Sequence, residues 1–387
     1  MCDIHGSDSH SKAGVKTIPV NEAVGMVLAH DITEIRKDEF KGRAFKKGHI
    51  VRQEDIHHLK RLGKEHLFVL SLSEDEMHED DAAYALANAL MGEGVKMQGK
   101  PKEGKINIIA DRDGILKIDR DALLKFNMLG DVMCATLHSN TVVKKEQIVA
   151  GTRAIPLVVK REIVHKAVEV CEEIKDSKFK NQDSEAFSLQ PSVCSGVIEV
   201  REIRKPKAGI VITGNEVYYG RIKDAFAPVI TKKINAFNGE IVGIYYAPDN
   251  EEFIEARLRE LIDAGADLLI TTGGMSVDPD DVTRFAIRRL GATEITYGSA
   301  VLPGAMFLVA YISETAPSPI HRFTDSPIPI LGIPACGMYH KTTIFDLVLP
   351  RVLAGEKIGR HELAELGHGG LCLNCKECRY PICPFGK

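Results

Sequence analysis

Residues 268–283 read LLITTGGMSVDPDDVT, and this stretch decides the fold. Leu268–Ile270 is apolar on both faces, too short for a helix and closed by a glycine pair. That spacing predicts a strand buried on both sides. Gly273–Gly274 makes a turn, and the pattern VTRFAIRRLG from Val282 predicts a helix. Working upstream, the same strand–loop–helix unit recurs twice. AGIVIT (208–213) runs into TGNEV and a helix over about Lys223–Asn238, and EIVGIYY (240–246) leads through APDN into EEFIEARLRELIDAG. Such alternation predicts a mostly parallel, doubly wound sheet covered by helices on both faces. Ligands of these sheets sit at the carboxyl ends of the strands. Three loops converge there: Thr213–Val217, Ala247–Asn250 and Thr271–Thr283.

The residue types in those loops suit an anionic ligand. Gly214, Gly273 and Gly274 lack a Cβ, so their backbone N–H groups can come close to a phosphate. The helices that follow add unpaired N–H groups and partial positive charge. Glu216, Asp249, Asp278, Asp280 and Asp281 bring carboxylates to the same place, a set that suits a phosphorylated ligand bridged by Mg²⁺. Each acid has a plainer reading too. Asp249 with Glu252 fits a capping-box-like helix start, and Asp281 fits a cap on the helix beginning at Val282.

TGNEV (213–217), TTGGMSVDPDDVT (271–283), PGAMF (303–307) and GIPACGMYH (332–340) together resemble the molybdopterin-binding domain of molybdenum-cofactor biosynthesis proteins. The resemblance covers about residues 205–355. IPVNEAVGMVLAHDI near the N-terminus is similar to the molybdopterin molybdenumtransferase branch, in preference to the compact adenylyltransferases. The resemblance implies a bound molybdopterin, Mg²⁺, and either adenylyl transfer from ATP or insertion of molybdate. It also implies contacts with other cofactor-biosynthesis proteins or molybdoenzymes, and a homodimer near the site. By motif match, Asp281 is expected near the metal or molybdate, Glu216 is the acid of the first loop, and Asp249 is that of the second. Thr213, Gly214, Asn215, Thr271, Thr272, Gly273, Gly274, Ser276, Pro303, Gly304 and Pro334 are expected to face the pterin and its phosphate. Two departures stand out. Leu302 and Ala305 flank Pro303–Gly304 where the molybdenumtransferase pattern has basic residues, so Arg284, Lys341 or a metal would have to balance the anion. Ile333-Pro334-Ala335-Cys336-Gly337 lacks that pattern's second proline and places a thiol in the loop, either as a small buried residue or as a ligand contact. A non-catalytic carrier or a metal or redox sensor is the competing reading.

The remaining sequence divides by composition. Residues 1–15 are polar, 16–75 read as a small mixed α/β module, 76–190 as a second mixed module with a linker, and 356–387 as a cysteine-rich tail. NEAVGMVLAHDI reads as helix-like, the acidic run Glu74–Asp81 as a solvated linker that ends as the N-terminal turn of a helix through AAYALANALM, and INIIADRDGILKI as hairpin-like. In REIVHKAVEVCEEIK the apolar positions share one helical face, which makes Cys171 a core residue. The tail GLCLNCKECRYPICPFGK spaces Cys372, Cys375, Cys378 and Cys383 for a single metal centre, Zn²⁺ or a [4Fe–4S] cluster. With 50 basic and 54 acidic side chains the net charge is −4, which gives no general field for nucleic acid or anionic membrane. The absence of a signal-like segment or a spanning apolar run fits a cytoplasmic protein.

Overall fold

The computed structural model describes residues 15–36, 40–70, 73–179, 196–274, 282–312 and 327–387. Ser276, Asp278, Asp280 and Asp281 therefore lie outside the described residues, as do the polar N-terminus through residue 14 and residues 180–195 of the linker.

Six strands form the sheet that carries the converging loops: β1 (Lys207–Thr213), β2 (Glu240–Ala247), β3 (Leu268–Thr272), β4 (Glu294–Tyr297), β5 (Leu308–Ile312) and β6 (Ile328–Ile333). Their order is β2-β1-β3-β6-β5-β4. β1 runs parallel to β2 and β3, and β3 parallel to β6, while β5 and β4 add an antiparallel edge. The helices are α1 (Asn215–Tyr218), α2 (Phe226–Asn235), α3 (Glu251–Asp263), α4 (Thr283–Arg289), α5 (Cys336–Tyr339), α6 (Ile344–Leu353) and α7 (Arg360–Glu365). Alternate residues of each strand serve opposite faces. Ile210, Ile212, Leu268 and Ile270 pack with Phe226 and Ile230 of α2 and Val348 of α6. Val211 and Leu269 pack on the other side with Leu258 of α3 and Ile287 of α4. Each fully buried aliphatic side chain contributes about 1.5–3 kcal/mol, and β1, β3, β5 and β6 are accordingly buried on both faces while the flanking β2 and β4 are half-exposed. From β1 the chain goes first to β2 and then across to β3 on the other side. The resulting switch point opens between the ends of β1 and β3.

Upstream, the structure corrects three readings. NEAVGMVLAHDI is not a helix. A 3₁₀ turn at Val20–Glu22 is followed by Gly25 in the left-handed region and by bridges Val27–Ile50 and Leu28–Val69. Tertiary pairing overrides local helix preference there, and the helix of this module falls at Asp55–Arg61 instead. The acidic run does end as the first turn of a helix, Glu79–Leu90 with Glu79, Asp80 and Asp81 in that turn, but it is not a solvated linker throughout. Glu76–His78 pairs with Val158–Lys160, Glu76 and Glu79 are buried, and Glu79 takes an ion pair from Lys47. INIIADRDGILKI is not a hairpin. Lys105–Ala110 pairs with Val95–Lys102 and Ile148–Ala154, whereas Gly114–Ile118 pairs with Val142–Val143 and Ile198–Arg201 in a different sheet. Cys171 is fully buried on Arg161–Phe179, as the helical spacing requires.

A buried charge cluster ties this middle region to α6. Lys117 and Arg351 share the carboxylate of Glu356, with Arg351 Nε 3.1 Å from its Oε2. Burial alone would raise the Glu356 carboxyl, but the hydrogen bond and charge of Arg351, then Lys117, hold it down at about 2. Lys117 is held below the usual lysine value, chiefly by burial and against the pull of Glu356. Two cations divide one acid, and Arg351, with two bonds to it, has the better share.

Candidate functional site

The crevice at the switch point is built from threonines and glycines. Thr213 ends β1, and its Oγ1 donates to the carbonyl of Thr272 at 2.8 Å. Thr283, at the start of α4, has its hydroxyl 3.2 Å from that of Thr213 and donates to the Gly273 carbonyl at 3.2 Å. These bonds lock the two strand ends together. Gly273 and Gly274 have φ of 78° and 57°. A Cβ at Gly273 would stand 2.4 Å from the Thr213 carbonyl oxygen, and one at Gly274 would stand 2.3 Å from the Thr283 hydroxyl. Glycine is required at both by backbone conformation and by space. Thr271 and Thr272 are fully buried, yet neither hydroxyl has a hydrogen-bond partner among the described residues. An orphaned buried hydroxyl costs about 1–3 kcal/mol, so each of the two calls for a partner beyond the described residues.

The second loop is latched onto the first. Asn215 donates its backbone N–H to Asp249 Oδ2 at 3.0 Å, and Asp249 donates its own to Asn215 Oδ1 at 3.3 Å. The helix-start reading of Asp249 is therefore corrected: Asn250 caps α3, accepting from Phe253 N at 2.9 Å. The cap position of α4 is Val282, which has no side chain able to serve it. Glu216 lies over Gly214, close to where a Cβ would be. On the rim, Tyr218 packs edge-on against Tyr219 and Phe253, and Arg284 lies 4.8 Å from the Phe285 ring centroid.

On the opposite side of the crevice, Ile344 N donates to the Pro303 carbonyl at 3.3 Å. Gly304, at φ 133°, would drive a Cβ to 2.4 Å from Ile344. Pro334 is buried directly after β6. Cys336 opens α5, and burial pushes its thiol up, so it is poorly placed to act as a thiolate. Leu302, the position without the expected cation, is held by the tail: its N–H donates to Gly370 O at 2.9 Å and its carbonyl accepts from Cys372 N at 2.8 Å. Asp346 caps the start of α6 through Thr343 N at 2.7 Å and pairs with Lys233 of α2. Lys341 is exposed, and its carbonyl accepts from Lys233 at 3.1 Å. The crevice thus gathers Thr213, Gly214, Asn215, Asp249, Thr271, Thr272, Gly273 and Gly274 around the β1 and β3 ends.

Sequence reasoning passed over Thr283, although it closes the quoted motif at the first helical position of α4. It also passed over the Lys233–Asp346 pair, whose members are too far apart in sequence to leave a local signal. A cavity of about 320 Å³ opens elsewhere, between Asn140–Lys144, α2, α6 and the C-terminus, walled by Phe237, Leu347, Tyr380 and Lys387. Its walls include none of the strand-end residues.

In the tail, Cys372 and Cys383 pack half-buried against the core while Cys375 and Cys378 are exposed, and all four are free thiols. Among the described residues no three His, Cys, Asp or Glu side chains stand together as a ready metal site. Cys378 Sγ lies 3.3 Å from Thr342 Oγ1, and this contact, the Tyr380 backbone N–H and nearby Lys341 hold its thiol below the usual value.

Residues 209–354 match the family described as a probable molybdopterin binding domain, and residues 17–71 match a domain of unknown function. A CinA-like protein of Mycobacterium avium (strain 104) is 38% identical over 95 residues, 24% of this chain and 22% of that protein. The chain thus spans about a fifth of the length of the curated relatives it matches. The molybdopterin biosynthesis enzyme MoaB from Thermus thermophilus is similar over 39% of this chain and 98% of its own, at 22% identity and a TM-score of 0.31. A molybdenum cofactor biosynthesis protein from Pyrococcus furiosus is similar over 91% of this chain and 65% of its own, at 15% identity and a TM-score of 0.24. Among the described residues no helix is long and apolar enough to cross a membrane.

Proposed function

We propose that this chain binds molybdopterin at the ends of β1 and β3 and acts in molybdenum cofactor biosynthesis as a molybdenumtransferase-like protein, inserting molybdate at the pterin dithiolene. The observation that carries the reading is the pair of buried hydroxyls on Thr271 and Thr272, unpartnered among the described residues, beside a turn that admits only glycine. The backbone N–H groups of the Gly273–Gly274 turn and these hydroxyls receive the terminal phosphate, and Pro303–Gly304 and Pro334 border the pterin. Glu216, Asp249 and Asp281 are the acids we assign to Mg²⁺, which keeps most of its waters and needs only one or two protein carboxylates. When bound, that ion supplies charge neutralisation at anionic oxygens. The threonine lock orients the phosphate, and the Asn215–Asp249 latch holds the first loop at the spacing the ligand requires. The tail cysteines enter this reading as ligands of Zn²⁺ or a [4Fe–4S] cluster.

The experiment is a titration of purified full-length chain with molybdopterin, followed by turnover with molybdate and Mg²⁺. Stoichiometric binding that weakens on Asp281→Ala, with product formed, supports the transferase reading. Binding without accelerated product formation supports a carrier or sensor. That second reading is favoured by the backbone of Leu302, which pairs with the tail at the position where a basic residue was expected.

A further inference from the structure

Residues 369–386 form a closed loop with all four tail cysteines inside it. Gly386 N donates to the Gly369 carbonyl at 3.0 Å, so the chain leaves the domain and returns to the same point. The neck is fixed on both sides. Phe385 is buried in the core with Tyr380 beside it, ring centroids 6.3 Å apart, and Leu371 bridges in parallel to Leu302. Cys372 and Cys383 each sit three residues inside the neck, half-buried against the sheet's core. Cys375 and Cys378 occupy the exposed arch between them, which has no helix or strand of its own. An arch of this length without a core is costly to order, and the exposed thiols of Cys375 and Cys378 have no packing role that accounts for their spacing.

We infer that this loop is a tetrathiolate metal site, with Cys372, Cys375, Cys378 and Cys383 as ligands, and that its occupancy fixes the Pro303–Gly304 turn. Zn²⁺ and a [4Fe–4S] cluster share the chemistry: soft thiolate ligands, each giving up its proton on binding. No oxidant or reductant is needed to load zinc. A tetrahedral site with Zn–S of about 2.3 Å needs its sulfurs about 3.8 Å apart. The four thiols do not stand together as a ready site in this structure, so loading requires the exposed arch to fold inward onto the anchored pair, and neighbouring cysteines three residues apart, able to span about 10 Å in extended chain, give it the length to do so. The neck is continuous with the crevice. Leu302, hydrogen-bonded to Gly370 and Cys372, precedes Pro303–Gly304, and Pro303 in turn accepts from Ile344. Cys378 meets Thr342, two residues before Ile344. Metal in the arch therefore holds two of the loops that border the strand ends, a coupling that rests on the binding reading only for its consequence at the pterin.

The test uses anaerobically purified full-length chain. Elemental and acid-labile sulfide analysis should find one metal centre per chain, with iron and sulfide marking a cluster and zinc alone marking a single ion. Cys375→Ser with Cys378→Ser, both exposed and outside the core, should lose the metal while keeping the wild-type circular dichroism and fold. Stripping the metal with a chelator should speed amide exchange at Leu302 and Cys372 by about tenfold or more, because local opening is no longer restrained. Absence of metal with all four thiols freely alkylated, or equal metal in the double variant, overturns the site. Unchanged exchange at Leu302 overturns the coupling. None of these readouts uses the pterin, so failure here and failure of the binding reading are separable.

Discussion

Thr272 illustrates what a single side chain contributes at the crevice. Its hydroxyl is buried and unpartnered among the described residues, so Thr272→Val removes a liability from the ligand-free protein. The expected outcome is an unchanged or slightly raised melting temperature, together with molybdopterin affinity weakened by about tenfold or more. Parallel melts and titrations check both halves. A hydroxyl serving only the fold would move stability and leave affinity alone. Gly273→Ala tests the neighbouring backbone. With φ at 78° and only 2.4 Å to the Thr213 carbonyl, an alanine must push the β1 end away. A loss of more than about 1 kcal/mol in chemical denaturation is expected, along with loss of binding.

Among the elements, the loop after β2 is held by Asp249 through the Asn215 N–H. Asp249→Ala leaves that donor without its charged acceptor, and hydrogen bonds to charged groups contribute about 1.5–3 kcal/mol. Denaturation midpoints should fall accordingly, with the change in amide exchange concentrated at Asn215–Tyr218. The strands and helices around this loop were legible from sequence because each strand is apolar on both faces and each helix has a single stripe, leaving no competing pattern. The strand-end glycines were legible because two adjacent glycines after Thr272 suit few other conformations. Less was readable where long-range pairing decides. NEAVGMVLAHDI has helix-forming residues, but Leu28 pairs with Val69 and overrules them. INIIADRDGILKI carries a turn signal, yet each half finds its partner strand elsewhere. Asp249 and Asn250 are adjacent and chemically alike, and only the approach of Asn215 decides which one caps the helix.

For the molecule as a whole, the Glu356 cluster joins the middle region to α6. Because the folded carboxyl titrates at about 2, below an ordinary value of 4.5, it binds fewer protons than in the unfolded chain. Its contribution is fully present above the unfolded value and is lost as pH falls from 4.5 toward 2. Acid unfolding of the wild type should steepen across that window, and Glu356→Gln should flatten it. Glu356→Ala leaves Lys117 and Arg351 buried without their acid, at an expected cost of about 3–5 kcal/mol in urea denaturation. The closed cysteine loop adds a second long-range tie, since Lys387, the residue after its closing Gly386, donates to Thr141 at 3.1 Å.

The central claim is that molybdopterin binds where β1 and β3 end. Calorimetric titration of molybdopterin into the wild type and Thr272→Val, at one protein concentration and with Mg²⁺ present, tests it most directly. The account predicts one site per chain in the wild type and a clearly weaker one in the variant. Equal affinity in the two proteins, or no heat of binding in the wild type, would contradict it.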